Sequence, residues 1–176
     1  VNSTAAANTA IGNQSLNANT TGQYNTALGS GALLLNTTAS ENTAVGINSL
    51  VLNTTGARNT AVGAFSLDAS TTGSNNSAFG REALTKNTTG SNNTGLGYES
   101  LKENTTASSN TAVGYQALKL NTTGSQNVAV GQSALISNTT GGGNIVVGFE
   151  AMEDNTTGGA NVCLLYTSDA ADEVVS

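Results

Sequence analysis

Apolar and polar positions in this chain recur every 17 residues, and that period decides how the sequence is read. Asparagine stands at 8, 25, 42, 59, 76, 93, 110, 127, 144 and 161 without an insertion. Glycine follows four residues later at 12, 29, 46, 63, 80, 97, 114, 131 and 148, and the series stops at Leu165. Between them lie a small residue, such as Ala27 or Ala44, and a larger apolar one: Ile11, Leu28, Val45, Val62, Phe79, Leu96, Val113, Val130 and Val147. A second apolar row comes five residues on, with leucine from Leu16 through Leu135 and Met152 closing it. One unit reads N-T-A-V-G-Y-Q-A-L-x-x-N-T-T-G-S-x, with positions numbered 1 to 17 from the first asparagine.

The Asn-to-Gly stretch alternates and carries β-branched residues, which predicts a short strand ending at a bend. The N-T-T-G stretch has turn chemistry, because asparagine tolerates left-handed backbone and glycine accepts positive φ. The piece between them, Tyr115 to Leu120 for example, fits a second strand or a single helical turn equally well. If each unit is one coil, coils stack at about 4.8 Å and ten of them span roughly 48 Å. The expected fold is all-β, a parallel β-solenoid (β-roll) of ten 17-residue coils, with residues 1–7 as a partial repeat or lead-in and 8–162 as the array. Identical residues then form ladders: valine and leucine inside, asparagine at the corners through Asn25, Asn42, Asn59, Asn76, Asn93, Asn110, Asn127 and Asn144.

Composition sharpens this picture. Only 9% of residues are charged and 4% aromatic, and proline, tryptophan and histidine are absent, so an ordinary mixed core is not expected. Each coil offers two large apolar residues and an alanine. At roughly 25 cal/mol per Å² that is marginal against the entropy of ordering a coil. Burial of a second face between side-by-side chains would help, which predicts self-association as a homotrimer or filament. The net charge of -6 and the lack of a basic patch disfavour nucleic acid, and no apolar run is long enough to span a bilayer.

The units N-T-A-V-G, N-N-S-A-F-G and N-V-A-V-G resemble the head repeats of YadA-type trimeric autotransporter adhesins, with related repeats in phage tail fibres and bacterial surface proteins. The resemblance covers residues 8 to about 161, although units of that family usually run near 14 residues. It implies a left-handed, homotrimeric β-roll at the cell or virion surface, used for attachment to a host surface or glycan. It carries over no ligand-contact residue.

Candidate chemistry is sparse. Without histidine, and with Cys163 as the one cysteine, neither a His-dependent triad nor a His- or multi-Cys-ligated metal site can be built, so no enzyme activity, cofactor or metal is expected. The acids Glu41, Asp68, Glu82, Glu99 and Glu103 read as a scattered, solvated set. The glycine spacing is that of the repeat, not of a phosphate loop. Asn19, Asn36, Asn53, Asn87, Asn104, Asn121, Asn138 and Asn155 each head N-T-T, an acceptor pattern for N-linked sugar on an exposed corner, with irregular sequons at Asn2, Asn13, Asn75 and Asn92. The plainer reading is that N-T-T-G makes a good turn, since the other asparagine series recurs more strictly without being a sequon.

Threonine pairs such as Thr37-Thr38 and Thr54-Thr55 raise an ice-binding array as a minor alternative, but adjacent strand residues point to opposite faces. Tyr98, Tyr115 and Phe149 recur after the glycine and read as packing between chains or as sugar-stacking sites. From Cys163 the string C-L-L-Y-T-S-D-A-A-D-E opens a non-repeat tail, 163–176, which resembles translated sequencing-adapter sequence; a capping segment is the other reading. Val1 is expected to be an internal start and the array to continue in the natural protein. Two functions follow: an extracellular structural or adhesive fibre displaying a surface for attachment, or a structural filament sheathed in N-linked sugars.

Overall fold

A computed structural model describes residues 5–164. They form a β-solenoid: ten three-residue strands in one parallel sheet, in chain order, with no helix among the described residues. The strands are β1 (Thr9–Ile11), β2 (Thr26–Leu28), β3 (Thr43–Val45), β4 (Thr60–Val62) and β5 (Ser77–Phe79), then β6 (Thr94–Leu96), β7 (Thr111–Val113), β8 (Val128–Val130), β9 (Ile145–Val147) and β10 (Val162–Leu164). Register is strictly one unit: Ala27 faces Ala44, Ala44 faces Ala61, and so on. The array therefore makes nine complete coils, numbered 1 to 9 from Asn8, and β10 opens a tenth. The expected boundary at 162 falls inside β10, where Cys163 and Leu164 pair with Val146 and Val147. Residues 165–176 lie outside the described residues.

Stacking is bonded around the whole coil, beyond the strand itself. Thr26 N–H donates to the Asn42 carbonyl at 2.8 Å, Gly46 N–H to Leu28 at 2.8 Å, and Leu33 N–H to Ser49 at 3.1 Å. On the far side Thr37 N–H donates to Thr54 and Glu41 N–H to Gln23. Backbone groups outside the three-residue strands are thus satisfied coil to coil. The middle piece is neither second strand nor helical turn. It is a pair of tight turns within each coil, closed by Ala32 N–H to Gly29 O at 3.3 Å and Asn36 N–H to Leu33 O at 3.2 Å.

These turns demand unusual backbone. Gly29 and its equivalents sit at φ of 132–140°, and a Cβ on Gly29 would lie 2.5 Å from the Gly46 carbonyl oxygen. Glycine is required twice over, by conformation and by the approach of the next coil. The leucine row is less expected: Leu33, Leu50, Leu67, Leu84, Leu101, Leu118 and Leu135 all lie at φ of 50–54°. A left-handed L-residue costs about 1–2 kcal/mol. The cost is offset because this conformation drives each leucine into the coil, where these seven are fully buried in a single stack.

The core is narrower than the pattern suggests. Position 3 of the strand points inward, as alanine in most coils and Val146 in coil 9, and packs with the leucine row and with Ala32, Ala83, Ala117 and Ala134 of position 8. Positions 2 and 4 face out. The valine row expected inside therefore stacks on the outer face, where Leu28, Phe79, Leu96 and Val147 are exposed. A three-residue strand with alternating faces admits one side chain to the interior, and the space there fits alanine.

Candidate functional site: two buried asparagine ladders and one charged, aromatic staircase

Position 1 turns inward despite its polarity. Asn42 is fully buried; its Oδ1 accepts the Asn59 backbone N–H at 2.9 Å, and its Nδ2 donates across the coil to the Gly56 carbonyl at 2.9 Å. The same pair of bonds repeats at Asn25, Asn59, Asn76, Asn93, Asn110, Asn127 and Asn144. Each carboxamide closes its own coil and clamps the next. That double duty explains why no other residue appears at this position.

Position 12 forms a second ladder of different geometry. Asn36 Nδ2 donates to Asn19 Oδ1 at 3.0 Å and to the Ala39 carbonyl at 3.0 Å, and Asn104, Asn121 and Asn138 repeat the motif. Here the structure corrects the exposed corner that the sequon reading requires. Asn19, Asn36, Asn53, Asn87, Asn104, Asn121 and Asn138 are at most 1% exposed, and Asn155, in the last complete coil, is half-buried. Their Nδ2 atoms, which would carry a sugar, are hydrogen-bonded to a backbone carbonyl inside the coil. The sequons that are exposed are the irregular ones at Asn13, Asn75 and Asn92; Asn2 lies outside the described residues. In the threonine pairs of the inner coils only the second member is on the surface, as Thr38 is; Thr37 is half-buried and its hydroxyl donates to the Thr54 carbonyl.

Coils 5 to 7 break the monotony. Four of the chain's five basic residues lie there, and the acids that looked scattered meet them. Lys102 bridges Glu82 at 2.8 Å and Glu99 at 2.7 Å, and Lys119 reaches Glu99 at 2.7 Å. Gln116 Nε2 donates to the same Glu99 carboxylate at 2.8 Å, and Lys86 pairs with Glu103 at 2.6 Å. The result is a staircase, Glu82–Lys102–Glu99–Lys119, climbing the coils between positions 7 and 10. Glu41 and Asp68 have no ion pair in it.

Burial pushes the Glu99 carboxyl up, but hydrogen bonds from Lys102, Lys119 and Gln116 outweigh it and bring the pKa down to about 2. Lys102 is held above its ordinary value chiefly by its bonds to Glu82 and Glu99. A carboxylate gripped by three donors acts as a fixed counter-ion, poorly placed to move protons. Asp68, outside the staircase, is pushed up by burial.

Beside the staircase, position 6 carries an aromatic step. The Tyr98 and Tyr115 rings stack with centroids 5.5 Å apart and planes 18° from parallel, and Arg81, paired with Glu82 at 2.6 Å, covers Tyr98 at 5.8 Å. Arg81, Tyr115 and Lys86 are exposed. Phe149, two coils beyond Tyr115, is exposed and separate from the pair. The residues are legible in the sequence, but their meeting is not: Lys102 is 20 residues from Glu82 and Lys119 is 20 from Glu99, one repeat plus three. Pairing opposite charges at that offset would have found them.

Among the described residues no cluster of three His, Cys, Asp or Glu could hold a metal ion, and no helix is long and apolar enough to cross a membrane. Comparison with known proteins found no matching family model, no similar curated protein and no similar solved structure.

Proposed function

We propose that this chain is a segment of an extracellular or cell- or virion-surface fibre, a rod that self-associates along its outer sheet face and presents a surface for attachment. The observation that carries the reading is the contrast between uniform ladders and the single cluster of charge and aromatics on coils 5 to 7. A purely mechanical filament has no need of such a cluster. The resemblance to YadA-type head repeats points the same way and suggests three chains.

The outer sheet face supports self-association. Positions 2 and 4 of all ten strands hold threonine, serine or apolar residues without one charge, and Ile145, Val147, Val162 and Leu164 extend the apolar surface to both rows at one end. Ten strands about 10 Å long at about 4.8 Å spacing make a face on the order of 500 Å², at the upper end of what isolated proteins leave bare. The staircase at positions 7 and 10, with the residues beside it at positions 6 and 11, lies past the corner glycine and outside the strands that make that face.

The test is adhesion of beads coated with the protein to arrayed glycans, matrix proteins and cell surfaces. Removing the cluster's aromatic and guanidinium groups together, as Arg81→Ser, Tyr98→Ser and Tyr115→Ser, should abolish adhesion while leaving circular dichroism and thermal unfolding near wild type. Unchanged adhesion would refute the cluster as the attachment surface. No adhesion of the wild type to any arrayed surface would favour the structural filament, whose glycan sheath the buried N-T-T asparagines already count against.

A further inference from the structure

The position-12 ladder is interrupted once, at Ser70 in coil 4. In the coils on either side the asparagines remain, and both feel the gap. Asn53 Nδ2 bonds normally to Asn36 Oδ1 and Gly56 O, but Asn53 Oδ1, which should accept from the next rung, has no partner. Asn87 Nδ2 donates to Gly90 O at 2.9 Å and lacks the second bond made by Asn104, Asn121 and Asn138 to the rung below. Ser70 Oγ is itself buried and unpartnered. All three residues are fully buried.

These groups are one acceptor, one side-chain N–H with a bond to spare, and one hydroxyl able to do either. The ladder's own register brings them around the volume that an asparagine carboxamide fills in the other coils. Serine is smaller than asparagine by about the share of one liquid water, roughly 30 Å³. Buried waters typically make about three hydrogen bonds to otherwise unsatisfied groups. Leaving such groups bare carries the full desolvation cost of each, so an apolar void is the least favourable filling.

We propose that coil 4 contains a built binding site for a single buried water, with serine plus water replacing the missing carboxamide. The water accepts from Asn87 Nδ2 and donates to Asn53 Oδ1, and its remaining hydrogen or lone pair meets Ser70 Oγ. The ladder is then continuous through all nine coils, with one non-covalent rung. The site is neutral and lined by carboxamides and a hydroxyl, which suits water better than an ion.

A crystal structure at a resolution that shows surface waters tests this, together with water-to-amide cross-relaxation by NMR on the wild type and Ser70→Asn. Ser70→Asn folds by construction, since the other eight complete coils carry asparagine there. The wild type should show one water within hydrogen-bond distance of Asn53 Oδ1, Ser70 Oγ and Asn87 Nδ2, with cross-peaks from the Asn87 side-chain amide to a long-lived water. Both signals should vanish in Ser70→Asn, where the introduced carboxamide takes over as donor to Asn53 Oδ1. An empty site, side chains that pair directly with one another, or cross-peaks that persist in the variant would overturn the proposal.

Discussion

The inside of the rod and its face at coils 5 to 7 are built from the same 17-residue frame, yet they vary in opposite ways. Inside, position 1 is asparagine and position 5 glycine in all nine complete coils, because each side chain or lack of one serves two coils at once. At positions 6, 7, 10 and 11 the residues change from coil to coil, because a side chain there meets only its nearest neighbours and, the buried Glu99 apart, solvent. The frame carries stability and the variable rows are free to carry contact. Nothing in the frame needs to change for a new surface to arise.

Substitutions can break that division. The largest effect is expected in the frame: Gly80→Ala combines a φ of 132° with a Cβ 2.5 Å from Gly97 O, and should cost about 4 kcal/mol or more in urea unfolding. Leu118→Ala, which opens a hole in the leucine stack, should cost about 2–5 kcal/mol by the same measurement. Asn110→Ala leaves the buried Asn127 N–H without a partner and takes from the Gly124 carbonyl one of its two donors, Asn121 Nδ2 being the other, and should cost about 2–4 kcal/mol. If it costs no more than an exposed substitution, the ladder account fails.

The staircase should respond less, and to pH. Glu99→Gln is expected to cost about 1–3 kcal/mol at neutral pH. The sign for the wild type follows from the depressed pKa. Stability contributed by Glu99 is complete above its ordinary value of 4.5 and is lost as pH falls from there through about 2. Denaturation of wild type and Glu99→Gln at about pH 5 and about pH 2.5 should therefore converge as the pH drops; a constant gap would contradict the assigned contacts. The smallest effect is on modification. Expressed in a host that attaches N-linked sugars, the folded protein should carry them at Asn75 or Asn92 and not at Asn36 or Asn121, as peptide mass spectrometry would show.

Much of the frame was legible because a period of 17 with no insertion leaves few ways to stack. Strand, corner glycine, register and the stacked leucines all follow from it. The direction of two rows did not. Valine at position 4 is larger than alanine at position 3 and reads as core, but a coil this narrow takes the smaller residue inside. Asparagine at position 12 reads as a turn residue on a corner, and only the packed coil shows that its carboxamide fits between rungs. The left-handed leucines were invisible, since leucine has no local preference for positive φ and adopts it here for the burial it gains.

The division of faces is tested most directly by a cryo-EM reconstruction of the assembled particle at side-chain resolution. Three chains are expected, with Val62, Val113 and their row turned toward one another, a rise of about 4.8 Å per 17-residue unit, and Tyr115 and Lys86 on the outside. A lone rod with a bare sheet face, or an assembly that buries the Tyr98–Tyr115 pair between chains, would contradict it.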